Sequence, residues 1–316
     1  MGGKHVATKW RPGVREPKTE GETPPGPISG NLIVETYPKL LAEEKENSMR
    51  LTRALAIAVV LVLVWSVVAQ AQTQNKPAQF VQLTITTVKP SAINDYEDFV
   101  KKLNAARDKT SGSPRVLVYA VNLGGPAFTF YTITEWEKWA DREKFPNGGQ
   151  MLIKVYGQTE AARLQKLQRD SIVQQRSEVF GYNANASLNP RVIDPPAAFI
   201  NLQRNELQPE LAASYGSALA KLKNAEEKAG DKRTIIRRNS VQGAGFVSYQ
   251  AVILPKLSDR DVQNPNAGDS LRKIYGNAEA TQIQDILNRA LRNRQQIFLN
   301  YRADLSKPKA TVSSSN

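Results

Sequence analysis

The chain repeats itself at a distance of 119 residues, and this repeat limits the possible fold more than any other feature of the sequence. At that offset, two ungapped blocks covering 61 positions contain 16 identities, among them Tyr156 with Tyr275. A typical composition would give about 4 identities by chance. The sequence therefore predicts two copies of one domain of about 110 residues, at 79–187 and 198–306.

Each copy has hydrophobic patterns that predict the order strand, helix, strand, strand, helix, strand. In the first copy we place strands at about 80–88, 116–121, 127–134 and 177–183, and helices that begin near Pro90 and Thr159. In the second copy we place strands at about 198–206, 233–241, 245–253 and 296–302, and helices at about 209–229 and 277–294. This order is typical of a ferredoxin-like domain, an antiparallel sheet with both helices on one face. We therefore predict an α+β fold, in which two tandem ferredoxin-like (βαββαβ) repeats pair their antiparallel sheets into a pseudo-dimeric α/β barrel.

The first strand alternates between two kinds of side chain, which separates two faces of the sheet. Val81, Leu83 and Ile85 form the apolar set, which we expect to pack under the helices. The other face includes Gln82, and its counterpart in the second copy includes Asn201. We expect these two mixed faces to meet between the sheets.

The segment 49–71 has the three parts of a secretory signal peptide. A short basic stretch precedes an uncharged apolar run that begins at Ala54, and a small-x-small site follows. We predict cleavage between Ala71 and Gln72 and export to the periplasm or the extracellular space; an uncleaved N-terminal membrane anchor is the alternative. Residues 1–48 are predicted to be disordered and to lie upstream of the true start, and residues 307–316 to form a disordered tail.

The composition excludes much of the usual catalytic chemistry. The chain has no Cys, and its one His is His5, so the part downstream of residue 71 has neither. Disulfides, thiol nucleophiles and imidazole ligands are thereby excluded from that part. We predict no catalytic residue, no metal site and no cofactor.

The formal net charge of +11 downstream of residue 71 comes from scattered residues, so we expect no nucleic-acid partner. The expected partner is a small molecule, the membrane is contacted only through an uncleaved signal segment, and the chain is a monomer or a homodimer.

The segment Phe128–Trp139 resembles the aromatic third strand and acidic helix start of the dimeric α/β-barrel superfamily. That group contains NIPSNAP-like, stress-responsive and antibiotic-biosynthesis-monooxygenase-like domains. The resemblance implies that two sheets pair, with the fused copies supplying both halves. It also implies a cleft in which haem-degrading and quinone-forming relatives use a histidine, an asparagine or a tryptophan. The lack of histidine after residue 71 argues against haem ligation here.

Residues that differ between the copies are candidates for a binding site. The pair of tryptophans Trp136 and Trp139 is present only in the first copy. A basic strand that contains Arg237 and Arg238 is present only in the second copy. The alternatives are a packing role for the tryptophans and a solvated charged strand for the arginines. The six predicted ligand contacts are Gln82, Tyr131, Trp136, Asn201, Arg237 and Arg238.

The function that we predict from these features is an exported, non-enzymatic α/β barrel that binds a small amphipathic or anionic molecule between its two sheets. The alternative is a cofactor-free oxygenase or isomerase that uses Tyr, Asn, Arg or Trp side chains in the same cleft. An enzyme would need a closed pocket in which polar groups converge, whereas a cleft filled by its own side chains would favour the first interpretation.

Overall fold

The computed structural model describes residues 76–192, 194–262 and 264–309. The predicted signal peptide, its cleavage site between Ala71 and Gln72, and the segment upstream of it lie outside the described residues and stay predictions. The same holds for most of the predicted C-terminal tail. That tail begins with Lys307, which the structure holds in a backbone bridge to Val116.

The described residues form eight strands and six α-helices. The strands are Phe80–Val88 (β1), Val116–Leu123 (β2), Thr129–Trp136 (β3), Ile172–Tyr182 (β4), Phe199–Leu207 (β5), Thr234–Gln242 (β6), Val247–Leu254 (β7) and Leu291–Tyr301 (β8). The helices are Ile93–Asp108 (α1), Trp139–Glu143 (α2), Gly148–Tyr156 (α3), Gln158–Ser171 (α4), Ala212–Lys228 (α5) and Ala267–Arg289 (α6). Of the helices that the structure describes, none is long and apolar enough to cross a membrane.

The strands close into one antiparallel barrel in the order β1-β3-β2-β8-β5-β7-β6-β4. Two junctions join the N-terminal four strands to the C-terminal four. At the β2–β8 junction Tyr119 lies opposite Tyr301, and at the β4–β6 junction Tyr182 lies opposite Arg238. The α+β barrel predicted from the sequence is confirmed, and it forms by edge-to-edge pairing, so the two half-sheets are continuous.

The structure reverses the two faces that we expected for β1. Val81, Leu83 and Ile85 belong to the cluster that fills the barrel interior, rather than to the layer under the helices. Closure of the barrel removes its interior from water on all sides, so the interior takes the more apolar set. On the outer face, Gln82 and Thr84 are half-buried, whereas Thr86 and Val88 are buried.

Two helical layers cover the outside of the barrel, each with its own apolar core. One core packs α1, α3 and α4 against β1–β4 through residues such as Phe99 and Leu164. The other packs α5 and α6 through residues such as Leu219 and Ile283. The barrel wall therefore separates an interior apolar cluster from two outer ones.

A helix begins at Asn147-Gly148-Gly149, residue types that are also typical of turns. The Asn147 side chain accepts hydrogen bonds from the backbone N–H groups of Gly149 and Gln150, at 2.9 and 3.2 Å, and starts α3. Asn266 caps the start of α6 in the same way, by accepting from Gly268 N–H at 2.8 Å. Asparagine at a helix N-cap satisfies backbone donors that would otherwise lack partners.

Pairs of contacts recur at the offset of 119 residues. The Tyr156 hydroxyl donates to the Lys102 carbonyl oxygen at 3.1 Å, and the Tyr275 hydroxyl donates to the Lys221 carbonyl oxygen at 3.4 Å. The glycine that follows each tyrosine has a positive φ, 80° at Gly157 and 77° inside α6. These matching tyrosines therefore have matching structural roles: one joins α3 to α1, and the other joins α6 to α5.

The hairpin between β2 and β3 depends on a glycine at its tip. Gly124 has φ of 78°, and a Cβ atom there would collide with the backbone carbonyl oxygen of Gln296. We expect Gly124→Ala to lower the free energy of unfolding by about 1–3 kcal/mol more than Gly230→Ala does. Gly230 has φ of 79° but open space where a Cβ atom would lie, so its variant isolates the backbone strain. Urea unfolding of both variants measures the difference, and equal losses would contradict the close approach.

Candidate functional site

The barrel interior contains a cavity of about 340 Å³. It opens beside two segments, Lys76–Ala78 before β1 and Pro196–Ala197 before β5. Its walls are mostly apolar: Val81, Leu83, Leu117, Ile133, Phe180, Ile200, Leu202, Ile236, Ala251 and Ile253. A cavity of this size with such walls suits the apolar body of a small molecule.

A few charged side chains line the same cavity. Arg115 and Glu135 form an ion pair with 3.0 Å between Nη1 and Oε2, and their side chains are 18% and 21% exposed. Glu137 and Arg238 also line the cavity. Convergence of charged groups on an apolar space is typical of a binding or catalytic site. Among the described residues there is no cluster of His, Cys, Asp or Glu placed to hold a metal ion.

Of these charged groups, Arg238 has the fewest hydrogen-bond partners among the described residues. Its residue is 9% exposed, and its Nη1 atom has no hydrogen-bond partner in the described part of the chain. The guanidinium carbon lies 5.7 Å from the centre of the Tyr182 ring. Burial lowers the pKa of Arg238 to about 10, against the opposing effect of Glu135, so the side chain is still a cation at neutral pH. A buried cation with a free donor is costly unless a ligand supplies the acceptor.

Two tyrosines also line the cavity. The Tyr119 hydroxyl donates to the Ala197 carbonyl oxygen, and the Tyr249 hydroxyl donates to Oε2 of Glu178, each at 3.4 Å. Burial raises the pKa of both phenols above the usual value of tyrosine. Both side chains therefore stay neutral and present ring surface to the cavity.

The structure does not bring the six predicted ligand contacts together. Arg238 lines the cavity, and Tyr131 lies in the interior apolar cluster. Gln82 and Asn201 lie on the outer face of the barrel, because alternation directs Val81 and Ile200 inward. There the Gln82 Oε1 atom accepts from Arg142 Nη2 at 3.3 Å, and the Asn201 Oδ1 atom accepts from Gln296 Nε2 at 3.0 Å.

Trp136 and Arg237 also lie on the outside of the barrel. Trp136 is 4% exposed and packs against the rings of Phe80 and Trp139, with centroids 6.0 and 5.8 Å away. Arg237 is buried between β6 and α5, where it pairs with Glu226 at 3.3 Å and its Nε donates to Gln250 at 2.8 Å. Both side chains thus have partners outside the cavity, and neither can contact a ligand in the interior.

Sequence reasoning missed Glu135, Arg115, Tyr119 and Tyr249. Glu135 had a usable signal, since it follows Tyr131 and Ile133 at the two-residue spacing that places side chains on one face of a strand. The same alternation separated Arg237 from Arg238 correctly. Which of the two faces points inward depends on closure of the barrel, which local sequence does not encode.

Comparison with known proteins finds similarity in structure only. No protein-family model and no curated protein sequence matches the chain. A solved protein assigned as a monooxygenase from Lactobacillus acidophilus is similar with 10% identity and a TM-score of 0.43, over 74% of this chain and 98% of that one. An anthrone oxidase-like protein has 11% identity and a TM-score of 0.43, over 76% and 97%. A mutant chlorite dismutase from Candidatus Nitrospira defluvii has 10% identity and a TM-score of 0.42, over 72% and 93%.

These neighbours correct one prediction made from the sequence. The non-enzymatic interpretation is wrong on this comparison, because the neighbours are named as a monooxygenase, an oxidase-like protein and a chlorite dismutase, which favours the alternative that we gave. Similarity at this level describes the fold alone. The resemblance to dimeric α/β-barrel proteins is confirmed at the level of an α+β fold with a closed antiparallel barrel of eight strands.

Proposed function

We propose that the chain is a cofactor-free oxygenase or isomerase whose substrate occupies the barrel cavity. The observation that carries this proposal is Arg238, a buried cation with an unpartnered Nη1 donor on an apolar cavity that also holds the Glu135 carboxylate. A carboxylate can remove a proton from a carbon next to a carbonyl or phenol group, and a cation can stabilise the oxygen anion that results.

The cavity would hold the substrate through two kinds of contact. The apolar walls, among them Leu83, Leu117 and Leu202, would pack against a ring or chain. The substrate oxygen would accept a hydrogen bond from Nη1 of Arg238. A hydrogen bond to a charged group contributes about 1.5–3 kcal/mol, and its strength grows as negative charge develops on the acceptor.

Glu135 is the group that we assign to proton removal. Its ion pair with Arg115 fixes the carboxylate at the edge of the cavity. The C–H electron pair of the substrate becomes the C=C bond of an enolate, its oxygen takes the negative charge beside Arg238, and the proton moves to a Glu135 oxygen. Apolar surroundings strengthen the attraction between the guanidinium and the enolate oxygen, because little water competes for either group.

The fate of the enolate separates the two candidate reactions. In an isomerase, Glu135 returns the proton to a different carbon, and no other reactant is needed. In an oxygenase, dioxygen is the oxidant: a CH₂ group becomes a carbonyl, one oxygen atom enters the product and the other leaves as water with the two hydrogens. Both begin with the same proton transfer, which is therefore the step to test.

The test uses 2-tetralone, an enolisable bicyclic ketone, as the probe. Proton exchange in D₂O, followed by NMR, reports enolate formation, and an oxygen electrode reports oxygenation. We expect the wild type to accelerate exchange and Arg238→Met to reduce the acceleration by about 10–100-fold, the equivalent of one lost charged hydrogen bond. Arg272→Met, on the exposed surface of α6, is the control and should match the wild type.

The fold of the variant must be monitored alongside its activity. Arg238→Met removes a buried cation without a hydrogen-bond partner at Nη1, so we expect its free energy of unfolding to equal or exceed that of the wild type. Absence of both exchange and dioxygen uptake with the wild type would contradict the proposed chemistry. A loss of exchange that follows a loss of stability would make Arg238 a structural residue.

We also propose that the two halves of the barrel arose by tandem duplication of one ferredoxin-like domain. The recurring identities and the matching contacts of Tyr156 and Tyr275 support this origin. Export before folding is a further proposal, supported by the basic and apolar pattern of residues 49–71.

A further inference from the structure

The two junctions of the barrel place different side chains at equivalent positions. Arg238 lies opposite Tyr182 at the β4–β6 junction, and Tyr119 lies opposite Tyr301 at the β2–β8 junction. Both Arg238 and Tyr119 line the cavity. One end of this pseudo-symmetric space therefore presents a cation with a free donor, and the other presents an aromatic ring.

The same difference appears one layer along the barrel. Glu135 lies opposite Val81 of β1, whereas Ile253 lies opposite the matching residue of β5, Ile200. The cavity thus has a carboxylate in one half and an aliphatic side chain at the equivalent place in the other. Neither the cation nor the carboxylate has a second copy at the matching position.

The hydroxyl group of Tyr119 is already engaged. It donates to the carbonyl oxygen of Ala197, in the segment that precedes β5, and the ring packs against Tyr301 with 5.3 Å between centroids. Arg115, the residue before the same strand, also lines the cavity, but its guanidinium is paired with Glu135. A charged group of a ligand at this end would therefore lose its water without gaining an unpartnered donor such as Nη1 of Arg238, which is unfavourable.

We propose that the barrel binds one substrate in one orientation, with its oxygen group at Arg238 and its apolar end against Tyr119 and Ile253. This inference rests on the proposed function, because it takes the cavity as the substrate site. It makes Tyr119 a specificity residue, which selects substrates with a single anionic oxygen group and rejects those with a second one at the far end. It also sets the stoichiometry at one ligand per chain, although the barrel has two similar halves.

The test compares two unreactive probes, naphthalene-2-carboxylate and naphthalene-2,6-dicarboxylate, by isothermal titration calorimetry. For the wild type we expect one site per chain and binding of the dicarboxylate at least about tenfold weaker than that of the monocarboxylate. Tyr119→Arg places a cation at both junctions, so we expect it to shift the ratio of the two affinities by at least about tenfold toward the dicarboxylate. Tyr119→Phe keeps the ring and should keep the wild-type preference.

Equal affinity of the wild type for the two probes, or an unchanged ratio in a folded Tyr119→Arg protein, would overturn the inference. A crystal structure of the wild type with naphthalene-2-carboxylate provides a measurement that does not depend on the variant. The carboxylate should lie on Nη1 of Arg238 and the far ring edge on Tyr119; the reverse orientation, or two molecules per barrel, would overturn it too. These probes do not react, so the binding result is independent of the proton-exchange test. If proton exchange depends on Arg238 but the cavity binds both probes equally well, the proposed function is supported and this inference is wrong.

Discussion

Arg237→Ala is expected to lower the free energy of unfolding by about 3–5 kcal/mol, because it leaves a buried carboxylate without its main cation. Arg237 is 2% exposed, and its guanidinium lies 3.3 Å from Oε2 of Glu226, a buried residue of α5. Burial raises the pKa of Glu226, and Arg237 opposes that effect. Thermal and urea unfolding give the magnitude. Binding of naphthalene-2-carboxylate by the folded fraction should stay unchanged, because Arg237 faces away from the cavity.

A double variant separates the charge effect from lost packing. Arg237→Met combined with Glu226→Met removes both charges while keeping much of the buried volume. We expect the double variant to recover most of the stability that Arg237→Ala loses, since replacing a buried ion pair by apolar residues is often close to neutral. A double variant that is as unstable as Arg237→Ala would show that packing, and not the uncompensated carboxylate, determines the loss.

Glu135→Gln is expected to lower the rate of 2-tetralone exchange by about 10²–10⁴-fold, the usual contribution of a positioned general base. The amide keeps the size of the side chain but cannot accept the substrate proton. Affinity for naphthalene-2-carboxylate should change little, because the anion contacts Arg238. The expected result is thus a fall in kcat at nearly constant ligand affinity, measured by NMR exchange and by calorimetry.

Glu206→Gln is the matched control for this experiment. Glu206 is also a strand carboxylate paired with an arginine, Arg204, but it does not line the cavity. Its variant should exchange protons at the wild-type rate. If Glu135→Gln retains the full exchange rate, Glu135 is not the base and the proton-transfer step as written fails.

The sequence predicted the positions of strands better where apolar residues dominate. β1 was predicted at its observed bounds, and β5 within one residue. β4 and β8 each begin five residues earlier than predicted, because most of their first five residues are polar and exposed. These residues belong to strands because their backbones pair with β1 and β5. A local pattern of hydrophobicity does not reveal such pairing.

The site was harder to predict than the fold, for a reason that Arg237 and Arg238 illustrate. Alternation places these neighbours on opposite faces, and the structure agrees. In this part of β6 both faces of the barrel wall are buried, so each face tolerates an arginine when a partner or a cavity is present. Only the positions of Glu226 outside and the cavity inside distinguish Arg237, which has a structural partner, from Arg238, which we propose binds the substrate.

The unequal junctions have a consequence for how such a site can change over generations. In a barrel assembled from two identical chains, one codon specifies the residue at both junctions, so a cation gained at one end appears at the other as well. Here two codons, those of Tyr119 and Arg238, specify the two positions separately. A single mutation can therefore alter one end of the cavity and leave the other as it was, which allows the affinity for the oxygen group and the fit of the apolar end to be selected independently.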